Sequence, residues 1–182
     1  MSSFYNLVQI RGCVAMLNIV KNIDEDTINN LLDIYCESME AMESSFDNHN
    51  EMIDEYISFI KDFINKPQQL IMVEEVENIW VSGLRAIETE KGKWFFEAVE
   101  TKPSERHKGY GKKLLQHSVA CLEKLGMTEI TCTISEHNLK SKELHKKCGF
   151  TETNDSPINP WGEFEEGRVL YRFRKDVNNY YL

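Results

Sequence analysis

The chain has 182 residues, 41% hydrophobic and 28% charged, with a formal net charge of -9, which suits one globular domain with a sizeable core. An acidic body of this kind excludes a protein that grips nucleic acid with a general basic surface, and it suits a cationic ligand. Five cysteines (Cys13, Cys36, Cys121, Cys132, Cys148) form no CxxC pair, no stretch is long and apolar enough to span a membrane, and the start lacks a secretory signal, so a cytoplasmic protein without metal or disulfide framework is expected.

Residues 1–15 read as an extension, with Phe4–Ile10 as an extra edge strand, ahead of one domain over 16–182. Met16–Lys21 is the first strand of that domain. Asp24, Glu25, Asp26 and Thr27 mark a helix start, and Ile28, Leu31, Leu32, Ile34, Tyr35 and Met39 carry an amphipathic helix to about Ser44. Ser45–Asn50 is a loop, and a second helix runs from about Glu51 to Asn65, ended by Lys66-Pro67. The stripe Met39, Met42, Phe46, Tyr56, Phe59 reads as core, with pocket lining as the alternative. A meander follows: strands at Gln69–Glu74, Ile79–Glu88 and Lys93–Thr101, with turns at Glu75–Asn78 and Glu90–Gly92. A third helix carries Leu114, Leu115, Val119, Leu122 and Leu125; then come a buried strand (Thr128–Ile134), a short helix (Leu139–Lys147, stopped by Gly149) and a strand at Phe150–Thr153. Asn154–Gly167 is a loop, and Arg168–Arg174 closes the sheet.

The stretch that carries chemistry lies where the third meander strand hands over to the third helix: Arg106-His107-Lys108-Gly109-Tyr110-Gly111-Lys112-Lys113. A helix start has N–H groups without partners and a dipole that favours an anion, glycines let the backbone approach that anion, and the basic residues add charge. The reading is a pyrophosphate cradle. It is not a dinucleotide fingerprint, because Leu114 stands where the third glycine belongs, and not a P-loop, because Lys113 stands where the hydroxyl belongs.

The spacing Arg106-x-x-Gly109-x-Gly111 resembles the coenzyme A pyrophosphate loop of the GNAT superfamily of acyl-CoA-dependent N-acetyltransferases. A second stretch strengthens the resemblance: Asn138, Ser141, Leu144, His145, Gly149 and Phe150 follow that superfamily's other signature. The resemblance implies an α+β fold, layered α/β/α, with a mixed, mostly antiparallel central sheet of about six or seven strands and helices on both faces. It implies acetyl-CoA as cosubstrate and transfer of acetyl to a primary amine by direct attack, with no acyl-enzyme; the acceptor is left open among small amine, peptide and protein N-terminus or lysine. The alternative is a catalytically inactive acyl-CoA-binding or regulatory module of the same fold. A homodimer through exposed strand edges is left open, and neither nucleic acid nor membrane is expected as a partner.

The same resemblance distributes the site. Backbone groups at Val99, Glu100 and Thr101 would bond the pantetheine arm and polarise the thioester carbonyl. Arg106, His107, Lys108, Gly109, Tyr110, Gly111 and Lys112 would hold the pyrophosphate. Asn138 would bond the pantetheine or the strand edge, with Ser141 on the same helix side, and His145 would approach the sulfur, where many relatives place a tyrosine as general acid. Two proton tasks need candidates. Glu97 is the first base candidate, on the face of Val99 and Thr101 if no bulge intervenes, and Glu100 is the alternative on the opposite parity; either carboxylate is otherwise a partner for Arg85. His145, with an ordinary pKa near ~6.5, is the acid candidate or only an orienting group. Cys132 and Cys148 have no predictable base beside them and read as buried thiols. Trp161 either covers the acceptor pocket or anchors its loop.

Overall fold

A computed structural model describes residues 15–175. The proposed extra strand at Phe4–Ile10, and Cys13, lie outside the described residues. The elements are β1 (Ala15–Ile19), α1 (Glu25–Met42), α2 (His49–Ile64), β2 (Gln69–Val76), β3 (Ile79–Glu90), β4 (Lys93–Thr101), α3 (Tyr110–Lys124), β5 (Glu129–Ser135), α4 (Leu139–Lys147), β6 (Thr151–Glu152) and β7 (Arg168–Arg174), with short 3-10 turns at Glu43–Ser45 and Pro103–Glu105.

Local chemistry sets the boundaries. Asp24 caps α1 by accepting from the Thr27 N–H at 2.8 Å, which holds its carboxyl below the usual range. Asn48 accepts from the Glu51 N–H at 3.0 Å while the Glu51 carboxylate reaches back to the Asp47 N–H at 2.8 Å. This reciprocal cap starts α2 at His49, two residues earlier than the apolar periodicity alone suggests. Glu77 and Asn78 have φ of 51° and 64°, the geometry of a two-residue hairpin turn whose twist matches the flanking strands. Consequently Glu75 and Val76 belong to β2 and not to the turn.

The sheet has seven strands in the order β1-β2-β3-β4-β5-β7-β6, antiparallel except for β4 with β5. The expected closing strand, β7, is therefore interior: it pairs with β5 over its whole length, and the two-residue β6 forms the edge beyond it. Side-chain alternation divides the core between the two faces. On one, Met72, Leu84, Ala86, Trp94, Phe96, Ile130 and Tyr171 pack with Leu114, Leu115, Val119 and Leu122 of α3. On the other, Ile71, Val73 and Ile87 pack with Leu31, Ile34, Tyr35 and Met39 of α1 and Met52, Ile60 and Phe63 of α2. Each such buried aliphatic chain contributes about 1.5–3 kcal/mol.

Two irregularities in β4 position the site. Its parallel pairing with β5 extends only from Lys93 to Phe95, opposite Glu129 to Thr131. Past Phe95 the strands part. Against β3, Glu97 faces Arg85 and Glu100 faces Gly83, so three steps along β4 match two along β3. The extra residue is Ala98, with φ of 49°: a bulge that bends the strand at the point where it leaves its neighbour.

Candidate functional site

One cavity of about 1370 Å³ occupies the opening between β4 and β5 and reaches both faces of the sheet. Its lining includes Val99, Glu100 and Thr101, the loop from Arg106 to Lys112 apart from Lys108, Asn138, Ser141 and His145. On the far face it continues past Tyr35, Ser38, Met39 and Met42 of α1, Phe46, and Met52, Tyr56 and Phe59 of α2. Residues distant in sequence thus share one space, and the methionine and aromatic stripe is core on one side and cavity wall on the other.

The cradle is an uncapped helix start. Gly109 sits at the N-cap of α3 with φ of 84°, and no side chain caps the N–H groups of the first turn. His107 before it also has positive φ, 64°, which turns the chain sharply into the helix. Gly111 permits close packing: a Cβ there would lie 3.1 Å from Thr101 Oγ1 and 3.4 Å from the Leu144 side chain. The basic side chains are partly committed. Arg106 forms two bonds to the Glu37 carboxylate, at 2.9 and 2.6 Å, and donates from Nε to the Thr101 carbonyl at 3.2 Å. It ties the loop to α1 and holds the Glu37 carboxyl below its usual range, rather than standing open to an anion. Lys108, which does not itself line the cavity, pairs with the lining residue Glu105 at 2.9 Å. The orphan N–H groups of α3 and Lys112 are what the site offers a phosphate.

The two base candidates separate. The bulge removes the condition on which Glu97 shared a face with Val99 and Thr101. Glu97 and Ala98 both point to the α1–α2 side, Val99 packs on the α3 side, and Glu100 returns to the α1–α2 side, where its carboxylate accepts from the Ser38 hydroxyl. Glu97 accepts from Arg85 Nε at 2.9 Å, and that guanidinium is buried between the rings of Tyr35 and Phe59, 5.3 and 5.0 Å from their centroids. The Glu97 carboxylate is thus committed to an ion pair with Arg85. Glu100 has no such partner; burial pushes its carboxyl up, with the Ser38 bond opposing.

His145 is buried against Phe150 in an edge-on contact, ring centroids 5.3 Å apart. Its Nδ1 lies 2.8 Å from the Ser141 carbonyl oxygen. A carbonyl only accepts, so the proton is on Nδ1, and in the neutral ring Nε2 carries a lone pair. That Nε2 is buried without a partner, and burial lowers the pKa of the ring. In this tautomer Nε2 presents an acceptor, and burial disfavours the charged ring. Asn138 caps α4 by accepting from the Ser141 N–H at 3.0 Å, so its carbonyl oxygen is already used. Cys132 is buried, and desolvation raises its thiol pKa far out of the nucleophilic range.

A match to the family model described as Acetyltransferase (GNAT) family covers residues 28–150, more than half the chain. The chain belongs to this family. Solved acetyltransferases share the fold of this one at low identity. An acetyltransferase from Streptococcus agalactiae aligns at TM-score 0.65 and 16% identity, covering 87% of this chain and 98% of that one. The PaiA N-acetyltransferase from Thermoplasma acidophilum, solved with coenzyme A, aligns at 0.64 and 16%, covering 87% and 99%. A putative acetyltransferase, YncA, from Salmonella typhimurium, solved with acetyl-CoA, aligns at 0.65 and 15%, covering 91% and 96%. No curated protein matches the chain in sequence.

Within the acetyltransferase, sequence reasoning missed Ser38 and Tyr35 as site residues. Their only signal is helical: three residues apart on α1, they share the face that packs on the sheet. The partner of Ser38 lies 62 residues away, so no local pattern announces the contact. The β6–β7 loop was also open. Trp161 and Glu165 line the cavity; Trp161 is largely exposed, and Glu165 accepts from the Thr133 hydroxyl beside Arg168.

Proposed function

We propose that the protein transfers acetyl from acetyl-CoA to a primary amine by direct attack, with Glu100 as the base. The observation that carries this reading is the opening between β4 and β5, which joins an uncapped helix start on one side to the half-buried Glu100 carboxylate, hydrogen-bonded by Ser38, on the other. The residues fit the cosubstrate: the first-turn N–H groups of α3 and Lys112 would hold the pyrophosphate, and the β4 backbone freed from β5 at Val99–Thr101 would bond the pantetheine arm. The unpartnered Nε2 of His145 is an acceptor for a donor on that arm. Acetyl-CoA would supply the activated thioester. Glu100 would take the ammonium proton, its raised pKa bringing it nearer working pH, and Ser38 would hold the carboxylate in place.

The testing experiment is a thermal shift with acetyl-CoA, CoA and ATP on the wild type and on Gly109→Trp, followed by a free-thiol assay on an amine panel. Stabilisation by both CoA species, absent with ATP and lost in Gly109→Trp, is the expected result. A folded wild type indifferent to millimolar acetyl-CoA would remove the proposal.

A further inference from the structure

The half of the cavity beyond the sheet has a definite chemistry. Its walls are Met39, Met42, Phe46, Met52, Tyr56 and Phe59, side chains without charge that make a wide apolar surface. At its floor Glu100 stands opposite Gly83 in the β3–β4 ladder. A Cβ on Gly83 would lie 3.2 Å from the Tyr35 hydroxyl, so glycine there lets that hydroxyl reach the floor beside Glu100. Tyr35 is 2% exposed, lines the cavity, and its hydroxyl has no hydrogen-bond partner. A buried hydroxyl without a partner is costly unless something completes it.

The charges sharpen the picture. Each arginine on this side already has a partner: Arg85 holds Glu97, Arg106 holds Glu37, and Arg168 donates to the Thr133 carbonyl and hydroxyl and lies 3.5 Å from Glu165. Among the described residues, each arginine lining this half is thus already engaged, so a carboxylate or phosphate on the acceptor would have to compete with an existing partner. The carboxylates left over are Glu100 at the floor and Glu55, exposed at the mouth on α2.

Resting on the acetyltransferase reading above, we propose that the acceptor is a small hydrophobic monoamine: a primary ammonium on an alkyl or aryl body, without a carboxylate or phosphate. The ammonium sits between the Glu100 carboxylate and the Tyr35 hydroxyl, and the apolar body lies against Met42, Phe46, Met52 and Phe59. The reaction balances within the known parts. The amine nitrogen forms a bond to the acetyl carbonyl carbon, the carbon–sulfur bond breaks, and CoA leaves as the thiolate. Glu100 takes the ammonium proton before attack, and the second nitrogen proton leaves on collapse to the amide and reaches the thiolate through solvent.

The experiment uses matched acceptors with the wild-type chain: 2-phenylethylamine against phenylalanine, tyramine against tyrosine, with spermidine and a lysine-bearing peptide as polar competitors. Acetyl-CoA binding is measured first by thermal shift, and CoA release second. The expected result is a kcat/KM for each arylalkylamine at least about 100-fold above its amino acid, because the added carboxylate would be desolvated where each arginine already holds another partner. Met42→Ala and Phe46→Ala should raise KM for the amines several-fold more than they lower kcat. Comparable or better turnover of tyrosine, spermidine or the peptide overturns the inference and leaves the acetyltransferase reading standing. So does a chain that is stabilised by acetyl-CoA but turns over neither arylalkylamine. A chain indifferent to acetyl-CoA overturns both.

Discussion

The proposed chemistry rests on how two carboxylates three residues apart are treated differently. Glu97 meets a buried guanidinium and Glu100 meets a serine hydroxyl. Glu100→Gln should lower kcat by about 100-fold or more, the usual contribution of a positioned base. The same change should not lower Tm at pH 7. A carboxyl whose pKa is raised by burial favours folding only while protonated, below its unfolded pKa, and that contribution is lost as pH rises through the folded value. Replacing it with an amide removes a half-buried charge, so activity falls while stability holds or rises. In the wild type, kcat/KM should climb with pH through the raised pKa of Glu100, and Glu100→Gln should flatten that limb. Away from the site, Glu74 is fully buried on β2 with both oxygens 3.0–3.1 Å from Nδ1 of His117 on α3. His117→Leu would strand that carboxylate; chemical denaturation should show a loss of about 2–4 kcal/mol.

The bulge at Ala98 is the element-level device. Because Glu97 and Ala98 both face α1 and α2, deleting Ala98 leaves every later side chain of β4 on its present face but removes the bend. The shortened strand should fold cooperatively yet run beside β5 for longer, and thermal shift by acetyl-CoA should disappear while cooperative unfolding persists. This is also where sequence reading stopped. The glycine loop, β4 and α4 are legible because their signals are local: glycine spacing, apolar periodicity, the Gly149 stop. Alternation assigns faces only while one residue opposes one residue, and nothing in Phe96-Glu97-Ala98-Val99 announces an extra one. The placement of β7 inside β6 was equally hidden, since a two-residue edge strand has too little pattern to fix its neighbour.

At the scale of the molecule, the proposed reaction would bring its two substrates together through the opening between β4 and β5. The family and the fold were readable from two motifs in order, because the cradle and the α4 signature are each one contiguous stretch, with only α3 and β5 between them. The acceptor half was not, since it is assembled from α1, α2 and β4 by contacts across the chain. The apolar stripe was seen but could not be divided between core and wall: Met39 is 4% exposed and Met42 50%, on the same helix. That division is a matter of how far α1 stands from the β4 bulge, which no spacing encodes.

The bond between Arg106 and Glu37 joins these halves before any ligand arrives. It spans from the phosphate loop to the helix that carries Tyr35 and Ser38. A pyrophosphate settling at α3 would compete with Glu37 for the guanidinium, and any exchange would be felt along α1, where the amine's contacts are mounted. Such a molecule should take its substrates in a compulsory sequence, acetyl-CoA leading. Steady-state kinetics would show it: CoA competitive with acetyl-CoA, and a dead-end amine analogue uncompetitive against it. Glu37→Gln, by loosening the link, should turn that uncompetitive pattern noncompetitive.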